Sequence, residues 1–208
     1  PALIMRLKWS AHISLILRGT VCVHDLIATT ALGAAAPCVD HHGPISLTEE
    51  PGFALASIAA RRGGERTTVL AIRRMIGPTA PKAGHWAGGR IIAFWTGPDQ
   101  WMLEAPYDSE EFLFERAIKE VKGKASVTEQ TGAWCRFDLR GTDLAAVMER
   151  LCPINMATFI AGSATRTSID HLGCFVLCRA EDHISILGPR SCAAALHHSL
   201  LTAIRAAF

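Results

Sequence analysis

The stretch Ser126-Val-Thr-Glu-Gln-Thr-Gly132 decides how this chain is interpreted, because it repeats Ser46-Leu-Thr-Glu-Glu-Pro-Gly52 at an offset of 80 residues. A strand pattern follows each copy, from Phe53 to Ile58 after the first and from Trp134 to Leu139 after the second. Similarity between segments at a fixed spacing is the signature of a repeated structural unit. The two stretches therefore predict two copies of one unit in a single chain.

A second pair of matching segments supports the duplication. Asp182 to Ser191 matches Asp99 to Asp108 at an offset of 83 residues, and both contain an aspartate, a short strand, a proline and a helix cap. Apolar spacing and capping residues predict four helices, at Thr67–Ile76, at Glu110–Val121 after a Ser109 cap, at Leu144–Leu151 after a Thr142 cap, and at Cys192–Ala206. Residues 78–89 are predicted to form a loop.

The order of elements predicts an α+β fold with two similar β-β-α-β-β-α lobes, each with helices on one face of a mostly antiparallel sheet. The predicted organisation is an N-terminal arm over residues 1–43, a first lobe over 44–124 and a second over 125–208. Since a lobe of ~80 residues buries a small core, the other sheet faces should be covered by pairing of the lobes or by a larger partner. The apolar arm must pack on its own domain or on a partner. The arm and one sheet face are therefore the candidate contact surfaces.

Composition excludes several classes of protein. Of the 208 residues, 50% are hydrophobic and 19% are charged, which is not the composition of a wholly disordered chain. The net charge of +2 lacks the basic excess typical of nucleic-acid-binding proteins. No apolar run reaches the ~18 residues of a membrane-spanning helix. We therefore expect neither nucleic acid nor a membrane as a partner.

The cysteines predict reduced thiols. There are seven, an odd number, and no pair has CxxC spacing, so we expect a cytoplasmic protein without a disulfide framework. Cys174 and Cys178 would lie ~13 Å apart along one strand face, too far apart for one metal ion, and are interpreted as buried structural thiols. The neighbouring His197 and His198 point about 100° apart on a helix. No metal site is expected in this chain.

The sequence contains no recognisable catalytic motif: GxGxxG, the P-loop and GxSxG are all absent. We therefore predict no catalytic and no cofactor-binding residue. Four residues are candidates for contact with a partner. Trp95 and Trp101, which flank one turn, are interpreted as packing anchors, and Arg166 and Arg190 as polar contacts to a partner or a bound anion.

Several ordered motifs resemble the gamma subunit of heterotetrameric sarcosine oxidase over about residues 44–208. They are Leu55-Ala-Ser-Ile-Ala-Ala-Arg61, Trp95-Thr-Gly-Pro-Asp-Gln-Trp-Met-Leu-Glu-Ala-Pro106, Glu149-Arg-Leu-Cys-Pro153, Arg166-Thr167 and Gly188-Pro-Arg-Ser191. The second half also distantly resembles the folate-binding aminomethyltransferases (glycine-cleavage T-proteins), through Phe137-Asp-Leu-Arg-Gly-Thr-Asp143, Leu151 and Asn155. Those enzymes have an acidic pair and a Gly-Gly hairpin where this chain keeps only Asp170 and Gly173.

The resemblance implies an aminomethyltransferase-like fold and a non-catalytic gamma subunit. Complexes of this family oxidise sarcosine with O₂ to glycine and H₂O₂, and release formaldehyde or, with folate, methylene-tetrahydrofolate. The resemblance also implies alpha, beta and delta subunits as partners, with alpha as the main contact. FAD, FMN, NAD, tetrahydrofolate and zinc would be held by those other subunits.

Two alternatives stay open at this point. The chain could be a free-standing folate-binding, aminomethyltransferase-like protein, for which Asp170 is the candidate carboxylate. Alternatively, the complex could oxidise another N-methylated amine, because related assemblies do so. No residue of this chain indicates which amine is used.

Overall fold

A computed structural model describes residues 27–208, so the first 26 residues of the predicted arm lie outside the described residues. The strands are β1 (Val39–His42), β2 (Ile45–Glu49), β3 (Phe53–Ala60), β4 (Trp86–Gly88), β5 (Ile92–Gly97), β6 (Gln100–Pro106), β7 (Ala125–Glu129), β8 (Trp134–Gly141), β9 (Ala164–Ile169), β10 (Leu172–Ala180) and β11 (His183–Pro189). The α-helices are α1 (Glu65–Ile76), α2 (Tyr107–Glu110), α3 (Leu113–Val121), α4 (Leu144–Leu151) and α5 (Ala193–Ala207). None of these helices has the length and hydrophobicity of a transmembrane helix.

The strands form two antiparallel sheets. Sheet I has five strands in the order β4-β5-β6-β3-β7, and sheet II has six in the order β1-β2-β8-β11-β10-β9. When β1 is set aside, the two orders correspond strand by strand, with β7 matching β2 and β3 matching β8. The predicted α+β fold with two similar, mostly antiparallel sheets is confirmed.

The first strand of each repeat is exchanged between the sheets. β2 pairs with β8, so that Ile45 faces Gly141, and β7 pairs with β3, so that Ala125 faces Ala60. Only three or four residues separate β2 from β3 and β7 from β8, and these short connections pass from one sheet to the other. Each sheet therefore contains one strand from the other half of the chain. The sheets do not coincide with segments 44–124 and 125–208.

The molecule has four layers. Helices α1 and α3 cover the outer face of sheet I, and α4 and α5 cover the outer face of sheet II. The inner faces of the two sheets pack on each other through an apolar layer that includes Phe94, Phe175 and Leu177. Pairing of the two repeats thus buries the second sheet faces, as the small size of each lobe predicts. A sheet face is consequently not a free contact surface, which corrects one of our two candidates.

Several local predictions are wrong in detail. Residues 78–89 are not all loop, because they contain β4, which extends the edge of sheet I. The helix predicted over Glu110–Val121 begins only at Leu113 as α3, because Glu110 ends the short α2 and Glu111 and Phe112 form a turn between the two helices. Ser109 lies inside α2 and its hydroxyl donates to the Pro106 carbonyl, so it does not cap α3. Asp143, with φ of 59°, rather than Thr142, precedes α4 and gives no side-chain cap.

The described part of the arm packs on its own chain. Strand β1 pairs with β2, and Ala31 and Leu32 pack against the core of sheet II. The buried Glu49 carboxylate accepts hydrogen bonds from the backbone N–H of Leu32, at 2.9 Å, and of Cys38, at 3.2 Å. For residues 27–43, the structure therefore decides between the two expected packing partners in favour of the protein's own sheet.

Candidate functional site

The four candidate contact residues do not form one site. Trp101 is 5% exposed and its Nε1 donates to the Pro81 carbonyl at 2.8 Å, and Trp95 faces it from the neighbouring strand. Both indoles pack against the core beneath α1 and α3. The Arg166 guanidinium lies 5.7 Å from the Phe175 ring, while Arg190 donates to the Thr29 carbonyl at 3.2 Å. Trp101 is thus a packing residue with little surface left for a partner, and Arg190 holds the arm.

The described cysteines all have free thiols, and most are buried. Burial raises the pKa of Cys135 to about 11 and that of Cys174 to about 12. Burial also raises the pKa of Cys178. These thiols stay protonated near neutral pH and lack the activation that a nucleophilic cysteine needs. Cys174 and Cys178 are buried, as predicted.

A charged network that sequence reasoning missed joins the two sheets. Glu104 of sheet I points into the inner layer, where Arg179 Nη2 lies 2.8 Å from both carboxylate oxygens and Arg136 Nη1 lies 2.9 Å from Oε1. Both arginines belong to sheet II. Arg179 Nε also donates to Ser185 Oγ at 2.9 Å, and Ser185 Oγ donates to Asp138 Oδ1 at 2.8 Å. We call these five residues the inter-sheet network.

Asp138 is the buried acidic group of this network on sheet II. Burial alone would raise its pKa, but contacts with His183, Arg136 and Ser185 outweigh burial and lower the pKa to about 2. His183 Nε2 lies 3.0 Å from Oδ2, and Arg136 Nε lies 3.2 Å from Oδ1. The charged side chain of Asp138 therefore stabilises the folded protein.

Stability should fall in acid through Asp138. Because the folded-state pKa lies below the ordinary value of 3.8, the stabilisation is fully present above about pH 4 and is lost as the pH falls through about 2. The shift corresponds to about 2 kcal/mol. We expect Asp138→Asn to lower the free energy of unfolding at pH 6 by at least this amount. At pH 2.5 the difference in unfolding free energy between the variant and wild type should be much smaller. Urea unfolding at both pH values measures the difference.

The matched control for this prediction is Asp182→Asn, because Asp182 is an exposed aspartate on the turn between β10 and β11. Its stability difference from wild type should be small and equal at the two pH values. An equal loss at pH 6 and pH 2.5 in Asp138→Asn would show that the Asp138 charge is not the stabilising group.

A cleft of about 380 Å³ opens beside the inter-sheet network and is lined by Phe53, Trp86 and Arg90 together with Glu104, Arg136 and Arg179. Two of its guanidinium groups already pair with Glu104, and they also lie over aromatic rings: Arg136 is 5.1 Å from Phe53 and Arg179 is 5.4 Å from Trp86. The charges of the network are therefore balanced internally. This arrangement fastens the sheets together and presents no activated nucleophile or base.

Asp170, the carboxylate considered for folate chemistry, lies on the other side of sheet II. It occupies the turn between β9 and β10 with φ of 46° and accepts a hydrogen bond from Ser199 Oγ at 2.8 Å. With Arg150 and His198 it lines an open surface cleft of about 630 Å³ against α5. The inter-sheet network and this cleft face different layers of the molecule, so Asp170 does not belong to the buried charge cluster.

The alternation of apolar and charged residues along β8 is the sequence signal that could have revealed the inter-sheet network. Cys135, Phe137 and Leu139 face the helices, whereas Arg136 and Asp138 occupy the alternate positions. Such alternation is typical of a strand with one face in water. Two oppositely charged inward residues can also mark a buried ion pair, but sequence alone does not distinguish these cases.

The described residues define a class: an α+β protein in which two sheets with exchanged strands lie between two helical layers. The structure is similar to a chain of heterotetrameric sarcosine oxidase from Corynebacterium sp. U-96, solved in complex with pyrrole 2-carboxylate. The TM-score is 0.70 at 21% sequence identity, and the match covers 79% of this chain and 86% of that chain. The predicted resemblance to sarcosine oxidase is confirmed at the level of the fold.

The structure is also similar to the glycine cleavage system aminomethyltransferase T from Bartonella henselae, with a TM-score of 0.56 at 17% identity. That match covers 77% of this chain but 46% of the aminomethyltransferase, so this chain spans just under half of its length. The aminomethyltransferase-like fold is thus confirmed. No protein-family model matches the sequence, and no curated protein matches it.

Proposed function

We propose that this chain is the non-catalytic gamma subunit of a sarcosine-oxidase-type flavoenzyme complex in the cytoplasm. The observation that carries the proposal is the match over 86% of a chain of heterotetrameric sarcosine oxidase at a TM-score of 0.70. Because 79% of this chain is covered as well, the two chains correspond over most of their lengths. The complex would oxidatively demethylate sarcosine, or a related N-methyl amine, to glycine, H₂O₂ and formaldehyde or methylene-tetrahydrofolate.

The non-catalytic role is supported by the chemistry of the described residues. The charges between the sheets are paired with one another, and the thiol pKa values of Cys135 and Cys174 are raised by burial. Neither arrangement provides a nucleophile or a general base near pH 7. As the family resemblance implies, FAD, FMN, NAD, tetrahydrofolate and zinc would be bound by the alpha, beta and delta subunits.

The contact surface for the alpha subunit is proposed on the helices that cover sheet I. The inner faces of the sheets pack on each other and helices cover the outer faces, and on the helical layer over sheet I large apolar side chains are exposed at Leu70 of α1 (44%), at Phe112 (49%) and at Ile118 of α3 (49%). A contiguous group of exposed apolar side chains marks a protein–protein interface, whereas single ones are normal on any surface, so the proposal is that these three side chains act together. Ile118→Asp should weaken assembly, whereas Lys119→Asp on the same helix serves as a matched control.

The test is purification of the complex through a tag on this chain. We expect stoichiometric co-purification of larger subunits with flavin absorbance, and amine-dependent O₂ consumption by the complex but not by this chain alone. The yield of co-purified flavin should fall in Ile118→Asp and stay constant in Lys119→Asp. A lone monomer with no flavoprotein partner, or oxidation of an N-methyl amine by the purified chain, would contradict the proposal.

The alternative is a free-standing folate-binding protein, and the cleft beside Asp170 is the observation that favours it. Titration of the isolated chain with tetrahydrofolate separates the two functions. Under our proposal, the chain does not bind tetrahydrofolate in the micromolar range, and Asp170→Asn changes nothing. Micromolar binding that Asp170→Asn abolishes would support the alternative.

A further inference from the structure

Three side chains with different metal-binding groups converge at one edge of sheet II. The Cys38 Sγ lies 3.3 Å from Asp40 Oδ2 and 4.0 Å from His197 Nε2, and His197 Nε2 lies 2.8 Å from Asp40 Oδ2. The atoms of this cluster all lie within 4.8 Å of one another. We propose that Cys38, Asp40 and His197 form a binding site for Zn²⁺, with a water molecule as the fourth ligand.

The ligand set favours zinc over Mg²⁺ and Ca²⁺. A thiolate and an imidazole are ligands that zinc prefers, whereas Mg²⁺ and Ca²⁺ select all-oxygen sites. At Zn–S distances of about 2.3 Å and Zn–N or Zn–O distances of about 2.0–2.2 Å, tetrahedral ligand atoms are roughly 3.3–3.6 Å apart. The three separations in the cluster bracket this range. Each pair of atoms therefore needs to move by well under ~1 Å to take up an ion.

The fold holds the three ligands in place. Cys38 immediately precedes β1 and Asp40 is its second residue, and their side chains lie on one face, with Cys38 Sγ 3.3 Å from Asp40 Oδ2. The Cys38 N–H donates to the buried Glu49 carboxylate, and Asp40 is paired with Leu47 in the sheet. The His197 ring centroid lies 5.6 Å from that of Phe137. Ligands on packed elements with fixed neighbours form a preorganised site.

The cluster is accessible and its charge suits a divalent cation. The side chains of His197 and Asp40 are 18% and 34% exposed, which allows an ion and a water to reach them. Glu49 adds a negative charge close to Cys38, and Arg205 adds one positive charge near Asp40. With Cys38 as a thiolate, the local charge is −2. Zn²⁺ would therefore neutralise the cluster.

A Cys–His–Asp catalytic triad is the competing interpretation, and its geometry is not satisfied. In a triad the histidine contacts the nucleophile with one ring nitrogen and the carboxylate with the other. Here the same nitrogen of His197 faces both groups, and the Cys38 thiol is directed to Asp40. Burial and the neighbouring carboxylates raise the pKa of Cys38, which opposes an activated thiol in the absence of a cation.

Zinc binding would replace two hydrogen bonds by metal bonds. The Cys38 S–H bond breaks and its proton goes to solvent. The neutral imidazole of His197, whose Nε2–H donates to Asp40 in the metal-free protein, exchanges protons with solvent so that Nδ1 carries the proton and Nε2 is free to bind the ion. The Asp40 carboxylate exchanges the donors it accepts for the ion. One proton is thus released for each zinc ion bound, and binding should weaken as the pH falls.

The test is titration of the full chain, freed of metal by a chelator, with Zn²⁺ and separately with Co²⁺. We expect one tight equivalent of Zn²⁺ and a thiolate-to-cobalt charge-transfer band. Cys38→Ser should abolish this band, and His197→Ala should weaken zinc binding at least tenfold. Cys192→Ser and His198→Ala, which alter a thiol and an imidazole outside the cluster, are the matched controls and should bind as wild type does.

Asp40→Asn provides a second variant if Cys38→Ser fails to fold, and far-UV circular dichroism checks each protein. Absence of a stoichiometric Co²⁺ band in the wild-type chain would overturn the proposal. An equal loss of binding in His198→Ala and His197→Ala would overturn it as well. The site does not depend on the proposed subunit role, because these measurements use this chain alone.

Discussion

Replacement of Glu104 by alanine is expected to lower the free energy of unfolding by about 3–5 kcal/mol. The carboxylate is 7% exposed and lies between Arg136 and Arg179, at 2.9 and 2.8 Å respectively. Its removal leaves two guanidinium groups between the sheets without their shared partner, and an uncompensated buried charge is far more costly than a lost surface pair. Urea unfolding at pH 7, followed by circular dichroism, measures the loss.

Glu120→Ala is the matched control for this prediction, because Glu120 pairs with Arg74 at 2.7 Å on the surface, where the side chains are 35% and 49% exposed. It should cost under ~1 kcal/mol. Glu104→Gln keeps a hydrogen-bond acceptor but no charge, so its loss of unfolding free energy should lie between the losses in Glu104→Ala and Glu120→Ala. If Glu104→Ala cost no more than Glu120→Ala, the inter-sheet network would not be a stabilising contact between the sheets.

Replacement of Glu49 by alanine is expected to destabilise the protein by about 2–4 kcal/mol and to release the described part of the arm. Each hydrogen bond to a charged group contributes about 1.5–3 kcal/mol, and Glu49 accepts two, from the N–H groups of Leu32 and Cys38. Part of this cost is relieved if the released segment becomes hydrated. Hydrogen exchange at the amides of Leu32 and Cys38 reports the release directly.

The sequence repeat supplies the control for Glu49. Glu129 stands at the equivalent position 80 residues later, but it is exposed, and within residues 27–208 its carboxylate accepts only from the Thr131 N–H, at 2.6 Å, in a local turn. Glu129→Ala should therefore change stability by less than ~1 kcal/mol and leave both arm amides protected. Equal effects of Glu49→Ala and Glu129→Ala would show that Glu49 does not anchor the arm.

The Glu49 contact also bears on the proposed zinc site, because the same carboxylate positions Cys38 through its backbone N–H. Release of residues 32–38 would remove Cys38 from the neighbourhood of His197. We therefore expect metal affinity and arm protection to fall together in Glu49→Ala. Glu49 in β2 thus links the docking of the arm to the geometry of the proposed zinc site, which joins the arm to the distant His197.

The candidate contact residues illustrate how far sequence reasoning extends to function. Packing roles for Trp95 and Trp101 were predicted from their place in a hairpin. Trp101 is buried in the core of sheet I and Trp95 packs against that core partly buried, while their contact with a partner stays a prediction. The bond from Arg190 to Thr29 could not be predicted, since 161 residues separate the two partners. For the same reason, no local spacing indicates that His197 would meet Cys38 and Asp40.

The amino-acid sequence by itself determined the duplication, the α+β class and most of the strands and helices, because periodicity and turn residues act between near neighbours in the chain. Tertiary structure alone decided that the first strand of each repeat crosses to the other sheet. It also decided that the polar face of β8 is buried, because the stability of a charged face depends on whether a partner such as Glu104 stands opposite. That partner is brought there by sheet packing, whose free energy comes from the whole inner layer rather than from any one segment.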